Sequence, residues 1–191
     1  GTSLMMMGTW VMVDLIELLY LLRLRDVNKS IGRVVLSYGV RTASVLLLFL
    51  AALVGQRTSG SFQLGEIPQN ASLLYLLAAG LRLGVLPLNL PSLQEPELRR
   101  GAGNIIRLAP AASGLVLLAR LPDQPLGINL RGWLSLLQAL LAVTALYAAL
   151  RWVSAEDEIT GRPYWIIGWS AMHALAVMTV APSASLAWGV S

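Results

Sequence analysis

The sequence predicts an all-α, polytopic transmembrane helix bundle of about six spans, and three observations predict it. Hydrophobic residues make up 56% of the 191 and charged residues only 13%. Mean hydropathy is +0.67, a value that belongs to membrane chains rather than soluble domains. Apolar runs recur at 4–22, 34–55, 73–90, 101–121, 132–150 and 164–181. Each is close to the ~20 residues that a helix needs to cross a hydrocarbon core of ~30 Å. Residues 1–191 read as one transmembrane domain. The chain begins at Gly1, almost directly at a span, as expected of a chain processed or cut from a longer protein. The first run carries Asp14 and Glu17 and lacks a basic leader, which argues against a cleaved signal peptide.

In the first span, Trp10, Asp14, Glu17 and Tyr20 recur at three- and four-residue spacing, which puts two carboxylates on one helical face. Such a face is expected to look inward. Two readings stand for the carboxylates: solvation near a membrane surface, or a proton-exchanging site. The connector RDVNKSIGR (25–33) offers Asn28 or Ser30 as an N-cap for the second helix. Arg41, one to two turns inside the second span, is expected to snorkel toward the same basic surface. The polar interval 56–70 reads as an extramembrane loop.

The stretch GLRLGVLPLNLP (80–91) places Arg82 and the helix-breaking Pro87 within an apolar run. A guanidinium at membrane depth loses hydration and needs protein, water or a counter-charge. Pro87 frees a backbone carbonyl one turn earlier, so a proline-broken third helix with a polar path beside it is expected. Small residues and Pro110 make the fourth span a close-packing helix. Arg107 in that span either snorkels or lines the same path as Arg82. The fifth span carries no charge and has Trp133 and Trp152 near its ends as interfacial anchors. Pro163 suits the first turn of the last helix. His173, the single histidine, falls midway along that span, where it either relays a proton or donates one hydrogen bond and packs.

If the six spans alternate, basic residues sort by side. Arg23, Arg25, Lys29, Arg33, Arg99, Arg100, Arg151 and Arg162 share one face, against Arg57, Arg120 and Arg131 on the other. The positive-inside rule makes the first face cytoplasmic and both termini non-cytoplasmic. The pI near 10 then reflects topology, and nucleic-acid binding is not inferred from it. Cysteine is absent, which removes disulfides and thiolate-ligated metals or clusters. The chain has no phosphate-cradling glycine loop, no HExxH and no nucleophile–histidine–acid arrangement. No catalytic, cofactor-binding or metal-binding residue is assigned, and catalysis by the chain alone is not expected.

In order along the chain, VDLIELLYLL (13–22), the loop TSGSFQLGEI (58–67), GLRLGVLPLNLP (80–91) and SGLVLLARL (113–121) resemble a segment of the antiporter-like membrane subunits. These are subunits of proton-pumping NADH:quinone oxidoreductase (complex I) and of multisubunit cation/proton antiporters. DEITGRPYWIIGWSAMHALAVM (157–178) looks like a diverged form of that family's last matching helix. The resemblance covers nearly all of this chain but only about half, or a smaller part, of a full family member. It implies that Arg82 stands in the place of the family's pumping lysine, with the same distance to the proline. Asp14, or Glu17, stands near the family glutamate, and Arg107 lies close to the next helix's histidine or lysine. The sequence departs from the family pattern at four places. Arginine replaces lysine at 82 and holds its proton more tightly. Asn89 stands where His or Gln is usual, EPELRRGAGNIIRLAP (95–110) replaces a characteristic stretch, and Tyr164 stands near an expected lysine.

The resemblance implies an integral subunit of a multisubunit, quinone-linked energy-converting complex in a bacterial inner membrane or an equivalent energy-transducing membrane. Asp14, Glu17, Arg82, Arg107 and His173 are the candidates for ion translocation. Its partners would be other membrane subunits and the lipid bilayer, with lipid or quinone nearby but no cofactor held by this chain. The alternative is a non-translocating structural subunit of a membrane redox or photosynthetic assembly, derived from the same fold. A small-anion transporter using the same arginines ranks below both.

Overall fold

The computed structural model describes residues 1–24, 31–64, 67–85, 102–121 and 131–179. Among them are six helices and no strand: α1 (Ser3–Leu24), α2 (Ile31–Ser59), α3 (Gln69–Leu83), α4 (Ala102–Leu118), α5 (Arg131–Val153) and α6 (Glu158–Thr179). Three helices contain segments long and apolar enough to cross a membrane: Ser3–Tyr20, Val35–Ser59 and Gly132–Val153. The molecule is therefore all-helical with membrane-spanning character in α1, α2 and α5. At 1.5 Å per residue α3 is only about 22 Å long, shorter than a ~30 Å hydrocarbon core.

The burial pattern along α1 is that of a membrane helix with its polar stripe inside. Trp10, Asp14 and Glu17 are buried, while Met5, Met12, Ile16 and Leu19 face outward. α1 packs on α2 and α4; α3 lies at the centre against α2, α4 and α6; and α5 packs on α6. The start of α1 is pinned beside the α2–α3 connector. Ser3 donates its backbone N–H to the Phe62 carbonyl at 2.8 Å, and Leu64 donates to Gly1 at 3.1 Å. The Ser3 hydroxyl lies 2.8 Å from the Tyr75 hydroxyl of α3. These contacts put the beginnings of α1 and α3 and the end of α2 on one side of the bundle.

Several boundaries differ from those the hydropathy predicts. α2 extends to Ser59 and α3 starts at Gln69. The expected loop at 56–70 therefore shrinks to a short connector, because its polar residues continue helical turns. Thr58 and Ser59 hydroxyls donate to carbonyls three and four residues back, which lets polar side chains sit on a helix end. α3 stops earlier than the expected run to residue 90. Gly84 adopts a left-handed φ of 71°, and its N–H bonds back to the Leu81 carbonyl while that of Val85 reaches Gly80. This is a Schellman ending, in which a residue without Cβ takes the left-handed position at no steric cost. Pro87, the expected break, lies outside the described residues.

α4 contains Pro110 without interruption and closes on α3 through Gly114. A Cβ at Gly114 would stand 3.0 Å from Leu83 Cγ, so the small residue fixes how near α4 comes to the end of α3. α6 begins at Glu158 rather than beside Pro163. Asp157 caps it by accepting from the Thr160 N–H at 2.7 Å. The sequence reading placed Pro163 in the first turn because hydropathy rises only after it. The cap moves the start more than a turn earlier, and Pro163 lies inside the helix.

Candidate functional site

The side chains that carry charge into the bundle meet where α1, α2 and α3 pack. Trp10, Asp14 and Glu17 occupy one stripe of α1 because residues four and three apart share a helical face. Asp14 sits near the middle of that helix, about 16 Å along the axis from Ser3. Arg82 comes from the last turn of α3, where the partial negative charge of a helix C-terminus favours a cation. Gly84 ends α3 two residues later, so the guanidinium is delivered at the depth of Asp14.

Arg82 Nη1 lies 2.6 Å from Asp14 Oδ2, and the Arg82 side chain is 0% exposed. Its Nη2 donates to the Trp10 carbonyl at 3.4 Å, and its guanidinium carbon stands 4.7 Å from the centre of the Trp10 ring. The cation is thus held by a carboxylate, a backbone oxygen, a π face and a helix terminus. A buried guanidinium requires partners of this kind, since isolated charge in a low dielectric is very costly.

Arg41 extends the pair into a chain of four alternating charges. Its Nη1 hydrogen-bonds Glu17 Oε2 and lies 3.6 Å from Asp14 Oδ1. The order Glu17, Arg41, Asp14, Arg82 sums to zero. The arrangement corrects the expectation that Arg41 snorkels to the basic surface: two carboxylates one turn apart on α1 offer a stronger partner than the interface. It also replaces the solvated reading of Asp14, which is 5% exposed and paired. Glu17 is buried as well.

Of the four side chains Arg41 is the most exposed, at 17%, while Glu17, Asp14 and Arg82 stand at 7%, 5% and 0%. Trp10 Nε1, Asp14 Oδ1 and Arg82 Nε are buried without a hydrogen-bond partner among the described residues. The arrangement holds two carboxylates and two guanidiniums in mutual ion pairs. The arginines serve as persistent cations rather than proton donors.

The other candidates stand apart from this cluster. His173 is 2% exposed on α6 and donates from Nδ1 to the Trp169 carbonyl at 2.9 Å, while its Nε2 has no hydrogen-bond partner among the described residues. The Trp169 and His173 rings lie 5.3 Å apart, beyond which Trp165 stacks on Trp169 at 6.0 Å. No hydrogen bond or ion pair joins His173 to the four charges among the described residues. Arg107 lies on α4, and its side chain is outside the described residues. No group of three or more His, Cys, Asp or Glu that could hold a metal occurs among the described residues.

The sequence reading missed Arg41 as a member of the site. The signal available was its depth in α2, between two carboxylates on α1 and the single cation at 82 on α3. A half-open cleft of about 360 Å³ lies elsewhere, between Leu108, Trp152, Glu158, Arg162, Trp165 and Ile166. It belongs to α4, α5 and α6 and does not include the charges. Compared with known proteins, the chain matches no family model, no curated protein and no solved structure.

Proposed function

We propose that this chain is an antiporter-like integral membrane subunit, or part of one, of a multisubunit energy-converting complex linked to quinone redox chemistry. In this reading the Glu17–Arg41–Asp14–Arg82 chain contributes to proton translocation. The single observation that carries it is the buried Arg82–Asp14 pair, formed between the middle of α1 and the end of the short helix α3. An opposite-charge pair on separate elements couples the protonation of one group to the position of the other. The charge is stabilised inside the bundle and is connected, through Arg41, to a second buried carboxylate, Glu17.

Other membrane subunits and lipid are the partners of this reading. Its place is a bacterial inner membrane or an equivalent energy-transducing membrane. Arg82→Ala and Asp14→Asn, introduced into the assembled complex, are expected to abolish proton pumping in vesicles while the complex still assembles. Unchanged pumping in both variants sinks the reading.

One observation favours a second reading, a non-translocating structural subunit. The Arg82 side chain is completely buried and the four charges neutralise one another, as suits a fixed ionic clamp between helices. That reading expects the same variants to lose assembly of the complex, with pumping falling only in proportion to it.

A further inference from the structure

Arg41 is placed between two carboxylates that it serves unequally. It hydrogen-bonds Glu17, while the ion-pair distance to Asp14 Oδ1 is 3.6 Å. That same Oδ1 is buried and has no hydrogen-bond partner among the described residues. A charge-assisted hydrogen bond is about 2.8 Å long, so a shift of roughly 1 Å would complete a bond from Arg41 to Asp14. The acceptor is desolvated and ion-paired with Arg41, and accepts no hydrogen bond among the described residues.

We infer that Arg41 is a two-position switch: a proton taken up by Glu17 releases Arg41 to Asp14 Oδ1, which then shares its charge between Arg41 and Arg82. The step balances simply. One proton from water binds a Glu17 carboxylate oxygen, the carboxylate becomes a neutral acid, and both guanidiniums keep their protons. Attraction between Glu17 and Arg41 falls with the lost charge, and among the described residues Asp14 becomes the only ionised carboxylate paired with either arginine. Its pull on Arg82 is thereby divided, and proton occupancy at Glu17 reaches Arg82 through a single side chain. The inference rests on the translocation reading for its use, though not for its geometry.

The described charged or titratable side chains are Asp14, Glu17 and Tyr20 on α1, Tyr38, Arg41 and Arg57 on α2, and Tyr75 and Arg82 on α3; of these, Asp14, Glu17, Arg41 and Arg82 are joined by ion pairs. α4, which also packs on α1, carries no titratable side chain between residues 108 and 118. Arg41 is the least enclosed of the four side chains and Arg82 the most enclosed.

The test is an infrared pH titration of the full chain in lipid nanodiscs, combined with structures of the wild type and of Glu17→Gln, an uncharged mimic of the protonated acid. In the wild type, a protonated-carboxyl band is expected to grow together with a change in the guanidinium bands, and Glu17→Gln should remove both changes. The Glu17→Gln structure should show Arg41 hydrogen-bonded to Asp14 Oδ1. A carboxyl band that grows with unchanged guanidinium bands overturns the inference, as does Arg41 staying beside residue 17. If Glu17→Gln does not fold, the coincidence of the two wild-type bands decides the matter alone. Proton flux is a separate measurement. Unaltered flux in Glu17→Gln, with Arg41 moved as expected, would remove the translocation reading and leave the switch standing.

Discussion

Asp14 and Arg82 share the cost of placing charge inside a helical bundle, and neither is tolerable there alone. Arg82→Ala leaves Asp14 buried with only the 3.6 Å contact to Arg41, a loss of about 3–5 kcal/mol by comparison with other broken buried pairs. Replacing both partners, as Asp14→Leu with Arg82→Met, removes the unpaired charge and should recover most of that loss. Chemical unfolding in detergent of the wild type, the single variants and the double variant measures the coupling. Arg82→Lys keeps the charge but loses the fork that reaches Asp14 and the Trp10 carbonyl together, so it should fall between wild type and Arg82→Ala. The inward stripe of α1 was legible from residue spacing, since Trp10, Asp14 and Glu17 lie on one face of any helix. The identity of the partners was not. Arg41 and Arg82 stand 24 and 68 residues from the carboxylates they bind, and no local pattern reports such distances.

At the scale of elements, the end of α3 decides where the charge is delivered. Gly84 takes a left-handed φ of 71°, and any residue with a Cβ is strained there by about 1–2 kcal/mol. Gly84→Ala should therefore lower the unfolding midpoint and loosen the Arg82–Asp14 contact, seen as a smaller effect of Arg82→Ala in the altered background. Gly114 controls the approach of α4 to the same end. A side chain there meets Leu83 at about 3.0 Å, and Gly114→Val should cost about 1–3 kcal/mol through overpacking, measured by the same unfolding series. Small residues in the fourth span signalled close packing in the sequence. The place where α3 stops did not, because hydropathy remains high through residue 90 and cannot register a Schellman turn at Gly84.

For the whole molecule, the basic connectors and the hydropathy make a topological expectation that can be checked directly. The start of α1 is tied to the α2–α3 connector by the Ser3–Phe62 and Leu64–Gly1 hydrogen bonds, so those two regions share a side. The chain contains no cysteine, which makes single-cysteine labelling unambiguous. With Thr58→Cys and Glu156→Cys, both exposed positions, a membrane-impermeant thiol reagent should label residue 58 from outside intact cells and residue 156 only after permeabilisation. Labelling of both from the same side contradicts the positive-inside orientation.

The sequence by itself determined that this is an all-helical protein with segments long and apolar enough to cross a membrane, since length and hydropathy of a run bear directly on what a helix can bury in lipid. It also determined which face of α1 turns inward, because helical periodicity is local. Only the tertiary structure decided that α3 is too short to cross a hydrocarbon core, and that it ends with Arg82 against Asp14. It alone turned Arg41 from the basic surface to the carboxylates of α1. The physical reason is the same in each case: the depth and pairing of a charge depend on where other helices end, and that is settled by packing between segments distant along the chain.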